Sequence, residues 1–117
     1  MKVAIYHNAR SSKSRETLAL LEAQGIEPVV IRYLETPPDA ATIRRLLKQL
    51  GLDARDIIRS GEPAYKELGL ADDALSEDQL ISAIVAHPEL LQRPIVVAGE
   101  QARIGRPPES VLEIIAP

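Results

Sequence analysis

The stretch that decides the fold runs from residue 3 to residue 33 and has the sequence VAIYHNARSSKSRETLALLEAQGIEPVVIRY. It opens on a short apolar run, Val3–Ile5, which predicts a buried strand. Residues 14–24 predict an amphipathic helix, and Gly25 suits the position just beyond a helix end. The β-branched run over residues 28–33 predicts a second strand. A βαβ unit of this kind favours two parallel strands joined by a right-handed crossover.

A block of helices is predicted between this unit and a second group of strands. Ile43, Leu46, Leu47 and Leu50 recur with helical spacing, and the residues from Ser76 onward have the capping-box pattern of a helix start.

The chain then returns to strands. Residues 94–98 and 102–104 predict an antiparallel hairpin, and Pro107 opens a last helix. The order predicts an α/β fold of the thioredoxin-like βαβ–ββα plan, with a mixed four-stranded sheet and an inserted helical block at approximately 37–90. We expect one domain over residues 1–117, because this length allows one modest core.

Composition excludes several classes of function. The net charge is −3, and the only aromatic residues are three tyrosines, so neither a basic field nor a stacking platform for nucleic acid is expected. No apolar stretch approaches the ~20 residues of a membrane span, and no signal peptide is visible, so a cytoplasmic location is expected. The two histidines lie far apart and cysteine is absent, so no metal site and no intrinsic thiol chemistry are predicted.

The loop between the first strand and the first helix, Tyr6–Arg15, is the strongest candidate site. A strand, a polar loop and a helix start together predict an oxyanion-binding geometry, because unpaired backbone N–H groups and the helix dipole point at the loop. The loop contains three hydroxyls, from Ser11, Ser12 and Ser14. These serines are also typical helix-capping residues, and the two interpretations are compatible because a cap leaves other N–H groups free.

Several motifs occur in a characteristic order along the whole chain. They are Tyr6-His7-Asn8 with Ser14-Arg15, Tyr33-Leu34-Glu35-Thr36-Pro37-Pro38, Glu62-Pro63-Ala64-Tyr65 with Leu68-Gly69-Leu70, His87-Pro88, Arg93-Pro94-Ile95-Val96-Val97, and Arg106-Pro107. Together they resemble the glutaredoxin-linked arsenate reductases. That family's loop characteristically has the pattern Tyr-His-Asn-Pro-x-Cys-x-x-Ser-Arg. Here Ala9 stands in place of the proline and Ser11 in place of the cysteine.

The resemblance implies a reaction and a set of site residues. In the family, a cysteine thiolate attacks arsenate, and glutathione and glutaredoxin then carry out reduction to arsenite, with no bound cofactor. Three family arginines that hold the oxyanion correspond to Arg59, Arg93 and Arg106. The peptide bond before Pro94 is expected to be cis, beside the active loop. Further oxyanion contacts are expected from Ser12 and Ser14, and the supporting residues are His7, Asn8, Arg15 and Pro94.

Ser11 decides how much of that activity is expected here. A serine hydroxyl has a pKa far above that of a thiol, and no acid–base pair beside it is evident to activate it. An oxygen ester of arsenate also cannot be resolved by thiol exchange. We therefore expect Ser11 to bind an oxyanion without further reaction. Two origins of this serine remain open: a replacement introduced to trap the site, and a natural redox-inactive relative. The additional change at Ala9 favours the latter.

Other interpretations remain open. His7 is interpreted as a packed residue at a strand end, since a histidine that tunes a thiolate has no thiolate to act on here. Isolated arginines are usually solvated, although three matches to family positions favour an anion clamp. The same superfamily includes transcription regulators that dock on RNA polymerase, so a non-catalytic binding role is the alternative function. Reduction of a different substrate by cysteine-bearing relatives is a third possibility.

Overall fold

The computed structural model of the protein describes residues 2–115. This part of the chain contains four strands: β1 (Val3–Tyr6), β2 (Val29–Ile31), β3 (Ile95–Ala98) and β4 (Gln101–Ile104). Its five α-helices are α1 (Ser12–Ala23), α2 (Ala40–Leu50), α3 (Pro63–Glu67), α4 (Glu77–Ala86) and α5 (Leu112–Ile115). Short 3-10 helices occur at Ala54–Ile57, Pro88–Leu90 and Pro108–Val111. Within residues 2–115, no helix is both long enough and apolar enough to cross a membrane.

The four strands form one mixed sheet in the order β2-β1-β3-β4. β1 and β2 are parallel, with Ile5 opposite Val30, whereas β1 and β3 are antiparallel, with Ile5 opposite Val96. β3 and β4 form the predicted antiparallel hairpin. The predicted α/β class and the mixed four-stranded sheet of the thioredoxin-like fold are therefore confirmed.

Contacts divide the chain into two compact units. The sheet unit comprises the chain up to Thr36 together with the chain from Arg93 onward, and the helical unit comprises Pro37–Gln92. The expectation of a single domain over the full length stays a prediction.

The core of the sheet unit is built from aliphatic side chains. Its buried members are Val3, Ile5, Leu21, Val96, Ala98, Val111 and Ile114. They come from β1, β3, α1 and the C-terminal helical segment, so α1 is packed directly on the sheet. Leu21 is fully buried, and burying a leucine side chain contributes about 1.5–3 kcal/mol, so this face stabilises the packing of α1 on the sheet.

The helical unit has its own core and two well-capped helices. Ile43, Leu46 and Leu47 of α2 are buried, as are Leu80, Ile81 and Ile84 of α4. The predicted capping box is confirmed, because the Gln79 amide donates to Ser76 Oγ at 3.1 Å and the Ser76 amide donates to Gln79 Oε1 at 2.8 Å. Asp39 caps α2 by accepting the Thr42 amide at 2.8 Å.

Three element boundaries differ from the sequence prediction. Helix α1 begins at Ser12 rather than Ser14, because Ser11 occupies the N-cap. Strand β2 ends at Ile31, since the carbonyl of Arg32 accepts the amides of Glu35 and Thr36 and turns the chain. The sequence also predicts a short helix over residues 53–59, but the structure has a single 3-10 turn there, Ala54–Ile57, because the chain beyond it is extended.

Candidate oxyanion site

The loop between β1 and α1 ends in a serine that caps the helix. Ser11 has extended backbone angles, and its Oγ accepts the Ser14 amide at 3.4 Å. The Arg15 amide donates to the Ser11 carbonyl at 3.0 Å, so the first helical hydrogen bond also starts from this residue. Ser11 is buried, whereas Ser12, the first residue of the helix, is exposed. The capping interpretation is thus confirmed for Ser11.

Asn8 holds the loop in shape. Its carbonyl accepts the Ser11 amide at 2.9 Å, and its Oδ1 accepts the Arg10 amide at 3.0 Å. Its own amide donates to Ser14 Oγ at 3.3 Å. Arg15 adds a fourth link, because its Nη1 donates to the carbonyl of Ala9 at 2.9 Å. Asn8, Ser14 and Arg15 therefore bind the loop to the start of α1.

Two backbone donors at the helix start are left open by this network. Within residues 2–115, the amides of Ser12 and Lys13 form no hydrogen bond with another protein group. Unpaired N–H groups in a first helical turn carry the positive end of the helix dipole, which favours an anion. The arrangement can bind an oxyanion through backbone groups, with the Ser11 hydroxyl beside it.

His7 lies at the end of β1 as a buried residue. Its amide donates to the carbonyl of Ile31 at 2.8 Å, while its Nδ1 has no hydrogen-bond partner among the described residues. Burial lowers the pKa of the His7 imidazole below its ordinary value of 6.5, and the positive charges of Arg32 and Arg15 lower it further. The interpretation of His7 as a packed, neutral residue agrees with this environment.

Two of the predicted arginines lie close together in the sheet unit. Arg106 Nη1 donates to the carbonyl of Arg93 at 3.1 Å. The Arg93–Pro94 peptide bond is cis, as expected, and the bond between Arg106 and Pro107 is also cis. The Gly105 amide donates to the Pro94 carbonyl at 2.9 Å, so the chain segments that carry the two arginines are joined by two hydrogen bonds.

Gly105 is the residue that brings these segments against α1. A Cβ atom built on Gly105 would lie 2.5 Å from Thr17 Oγ1 and 2.8 Å from Pro94 Cγ. Thr17 is fully buried on the same helix face as Ser14, one turn further along. The Arg93–Arg106 pair is therefore anchored on the helix that Ser11 caps.

Arg59 lies in the helical unit, where it already has partners. Its Nη1 donates to Gln92 Oε1 at 3.0 Å, and its Nε lies 3.4 Å from Glu62 Oε1. Its amide donates to the carbonyl of Leu90 at 2.8 Å. The guanidinium is half-buried and held in place within its own unit, whereas Arg93 and Arg106 belong to the sheet unit.

Sequence reasoning missed the contact between Gly105 and Thr17. The signal was present, since a glycine immediately before Arg106 in a strand end often marks close approach of another backbone or side chain. The sequence also did not point to Gln92 as a partner of Arg59.

Among the described residues there is no cluster of ligands that could hold a metal ion. One hollow of about 550 Å³ lies along α1 beside Pro107, but neither Ser11 nor the arginine pair lines it.

Comparisons with known proteins agree on one family. The profile of the ArsC family matches residues 6–114. An arsenate reductase of Haemophilus influenzae is 47% identical over 98% of this chain and 100% of its own. The uncharacterized protein YfgD of Escherichia coli K12 is 63% identical over 97% of each chain. The structure of an arsenate reductase from Vibrio cholerae superposes with a TM-score of 0.96 at 59% identity, covering 98% of each chain. The chain therefore belongs to the ArsC family.

Proposed function

We propose that this protein binds a tetrahedral oxyanion of the arsenate and phosphate class at the start of α1 and does not reduce it. The observation that carries the proposal is the buried N-cap Ser11 beside the two open amides of Ser12 and Lys13. Backbone N–H groups in this arrangement favour an anion regardless of whether the neighbouring side chain is a thiol. Membership of the ArsC family supports arsenate as the ligand to test first.

We assign no arsenate reduction to this protein because the chain has no cysteine. Reduction by a thiol mechanism needs a thiolate that attacks arsenic and is then displaced by another thiol. The Ser11 hydroxyl serves as a helix cap, with its Oγ facing the Ser14 amide. Among the described residues, no base donates to or accepts from that Oγ, so nothing in the loop activates it.

The arginines are assigned to binding. We place Arg93 and Arg106 at the oxyanion because they are joined to each other and anchored on α1 through Gly105. Planar guanidinium groups form paired hydrogen bonds with oxyanions. Arg59 is included by its family position, and Gln92 and Glu62 hold its side chain in the helical unit.

The reductant partners are proposed on family grounds. ArsC-family relatives that are named arsenate reductases support a reductant as a partner of this family. We propose glutathione and glutaredoxin as the partners and the cytoplasm as the location. In this chain the encounter transfers no electrons, because Ser11 cannot form the mixed disulfide or the thiolate–arsenic bond that they resolve.

Binding is tested by NMR titration of the ¹⁵N-labelled protein with arsenate and, separately, with phosphate. The amide signals of Ser12 and Lys13 are expected to shift with saturation. Arg106→Ala is expected to weaken binding by about tenfold or more, because it removes one charge-assisted contact. Arg103→Ala is the matched control, since it removes the same charge from the sheet unit, together with the pair with Glu113 and a hydrogen bond to the carbonyl of Ala102. Unshifted loop amides at saturating arsenate would refute the oxyanion site.

Activity is tested with two serine-to-cysteine variants. Ser11→Cys is expected to create arsenate-dependent oxidation of glutathione in the presence of glutaredoxin, while the parent protein remains inactive. Ser12→Cys is the control, because it adds a thiol one residue away on an exposed position. Turnover by the parent chain would contradict the assignment of Ser11 as the block. An inactive Ser11→Cys variant that still binds arsenate would show that a further part of the site is missing.

A further inference from the structure

Strand β2 forms one edge of the sheet, and its outer side is open. Within residues 2–115, the only strand that pairs with β2 is β1. Val29 is 50% exposed and Val30 is 38% exposed. Because successive residues of a strand point to opposite faces, both faces of β2 are accessible at this edge. An open edge that carries β-branched residues and no charge within the strand is a template for pairing with another strand.

The outward backbone groups of β2 follow from its pairing with β1. The carbonyl of Ile31 accepts the His7 amide at 2.8 Å, so the backbone groups of Ile31 point toward β1. Backbone groups of successive strand residues point to alternate edges, so those of Val30 and of the flanking Pro28 and Arg32 point outward. Val30 therefore presents one amide and one carbonyl to the open edge.

The two flanking residues present only one group each. Pro28 has no amide hydrogen, so it offers only its carbonyl. The Arg32 carbonyl already accepts the amides of Glu35 and Thr36, both at 2.9 Å, which uses both of its lone pairs. Arg32 therefore offers only its amide. In the described part of the chain, neither that amide nor the Pro28 carbonyl has a backbone partner.

We propose that β2 pairs with β2 of a second copy of this chain, antiparallel and across a twofold axis at Val30. In this register Val30 lies opposite Val30 of the second copy, and the two residues exchange both of their hydrogen bonds. At each end of the pair, the Arg32 amide of one copy donates to the Pro28 carbonyl of the other. The donor that Pro28 lacks faces the Arg32 carbonyl that is already occupied. Four hydrogen bonds thus satisfy every open group of the two edges.

The pattern of donors and acceptors favours a second copy over an unrelated strand. An ordinary strand at this edge places an amide opposite the occupied Arg32 carbonyl and a carbonyl opposite Pro28, and both of these groups stay unpaired. Charge also favours self-pairing, because Glu27 of one copy comes next to the position opposite Arg32 of the other, at both ends. Glu27 and Arg32 are exposed, and neither forms an ion pair with any residue from 2 to 115.

The side chains across the twofold axis are apolar. Val29 of each copy lies opposite Ile31 of the other on one face of the joined sheets, and the two copies of Val30 meet on the other face. A strand of three residues offers a small contact area, below the class of interfaces that bury about 1,200–2,000 Å². The proposed dimer is therefore weak and reversible.

The unmodified chain provides the first test. Sedimentation equilibrium at concentrations up to about 1 mM is expected to show monomer and dimer in exchange. In a mixture of ¹³C,¹⁵N-labelled and unlabelled protein, isotope-filtered NOEs are expected between the Hα atoms of Val29 and Ile31 of different copies, because this pair is not hydrogen-bonded and its Cα atoms are the closer ones. A monomer at every concentration, or a dimer without these NOEs, overturns the proposal.

Charge substitutions at Val30 test the register, because the twofold axis places residue 30 of one copy opposite residue 30 of the other. Val30→Lys and Val30→Glu are each expected to weaken self-association by about tenfold or more, since like charges meet. An equimolar mixture of the two variants is expected to associate more tightly than either alone. Leu68→Lys is the matched control, because it adds the same charge at a 45% exposed leucine of the helical unit. Association of the mixture no tighter than that of the single variants contradicts the register.

This edge shares no residue with Ser11, Arg93 and Arg106. Failure of the dimer therefore leaves the oxyanion proposal unchanged, and failure of oxyanion binding leaves the dimer unchanged.

Discussion

Gly105 and Thr17 are in such close contact that a methyl group on Gly105 would lie 2.5 Å from the Thr17 hydroxyl oxygen. The φ angle of Gly105 lies outside the left-handed region, so space is the reason for the glycine at this position. The contact packs the end of β4 against α1, next to the cis-proline Pro94. It thereby couples the helix capped by Ser11 to the segment that carries Arg106.

We expect Gly105→Ala to lower the free energy of unfolding by about 1–3 kcal/mol, because the added methyl group overpacks a buried contact. Urea denaturation measures the loss. Gly61→Ala is the control: nothing lies within 4 Å of a Cβ at Gly61, so this variant is expected to be neutral or more stable by about 0.4–1 kcal/mol. The double variant Thr17→Ala/Gly105→Ala should lose less than the sum of its single changes, because two of the three close atoms are gone. Additive losses would argue against a direct contact.

Substitution of the capping-box serine of α4 should measurably lower the free energy of unfolding. Ser76→Ala removes the acceptor of the Gln79 amide and is expected to cost about 1 kcal/mol. Ser82→Ala, on the exposed face of the same helix, is the control and should be neutral or slightly stabilising, because alanine is the better helix former. Chemical denaturation compares the two, and equal midpoints would refute the cap.

The loss of folding stability at acid pH should depend in part on Asp39, the N-cap residue of α2. The Thr42 amide lowers the pKa of this carboxylate, so the folded state binds the proton more weakly than the unfolded state. The stabilisation is therefore present above the ordinary pKa of 3.8 and is lost as the pH falls through the lowered value. Asp39→Asn should keep the cap but lack this dependence, whereas Asp39→Ala should be destabilised near neutral pH as well. Urea midpoints across the acid range distinguish the three proteins.

We expect a second pH dependence of folding stability, at higher pH than that of Asp39, from His7. Burial, with help from Arg32 and Arg15, lowers the pKa of His7 in the folded state, so the unfolded state binds more protons between the lowered value and 6.5. Stability from this group is complete above pH 6.5 and falls as the pH is lowered through that window. Arg32→Ala should raise the pKa of His7 in an NMR titration between about pH 5 and 8. An unchanged titration would contradict the assigned field of Arg32.

Much of the fold followed from local patterns. The start of β1, the capping box at Ser76 and the antiparallel β3–β4 hairpin were all predicted because each depends on residues that are neighbours along the chain. The limits of β2 were less accurate. Its C-terminal end depends on hydrogen bonds from Glu35 and Thr36 to the Arg32 carbonyl, a turn that competes with the strand for the same backbone group.

The candidate site, too, was predictable from the sequence only in part. Its loop was recognisable from the order of strand, polar loop and helix start, and the three arginine positions were implied by the family resemblance, but the roles within the loop were not recognisable. Three serines were equivalent candidates for the cap, and the structure assigns that place to Ser11, while Ser14 accepts the Asn8 amide. The choice depends on where α1 is held by its buried face, which no property of the individual serines specifies.

The amino-acid sequence alone determined the family pattern, the order of strands and helices and the absence of a thiol, because these are properties of composition and of spacing along the chain. Only the tertiary structure decided that Gly105 approaches Thr17, that Arg106 bonds to the carbonyl of Arg93, and that β3 lies beside β1, which leaves β2 at the edge of the sheet. The physical reason is that these contacts join residues distant in sequence. Their distances are set by how the sheet, α1 and the connecting loops pack, so they cannot be obtained from any local pattern.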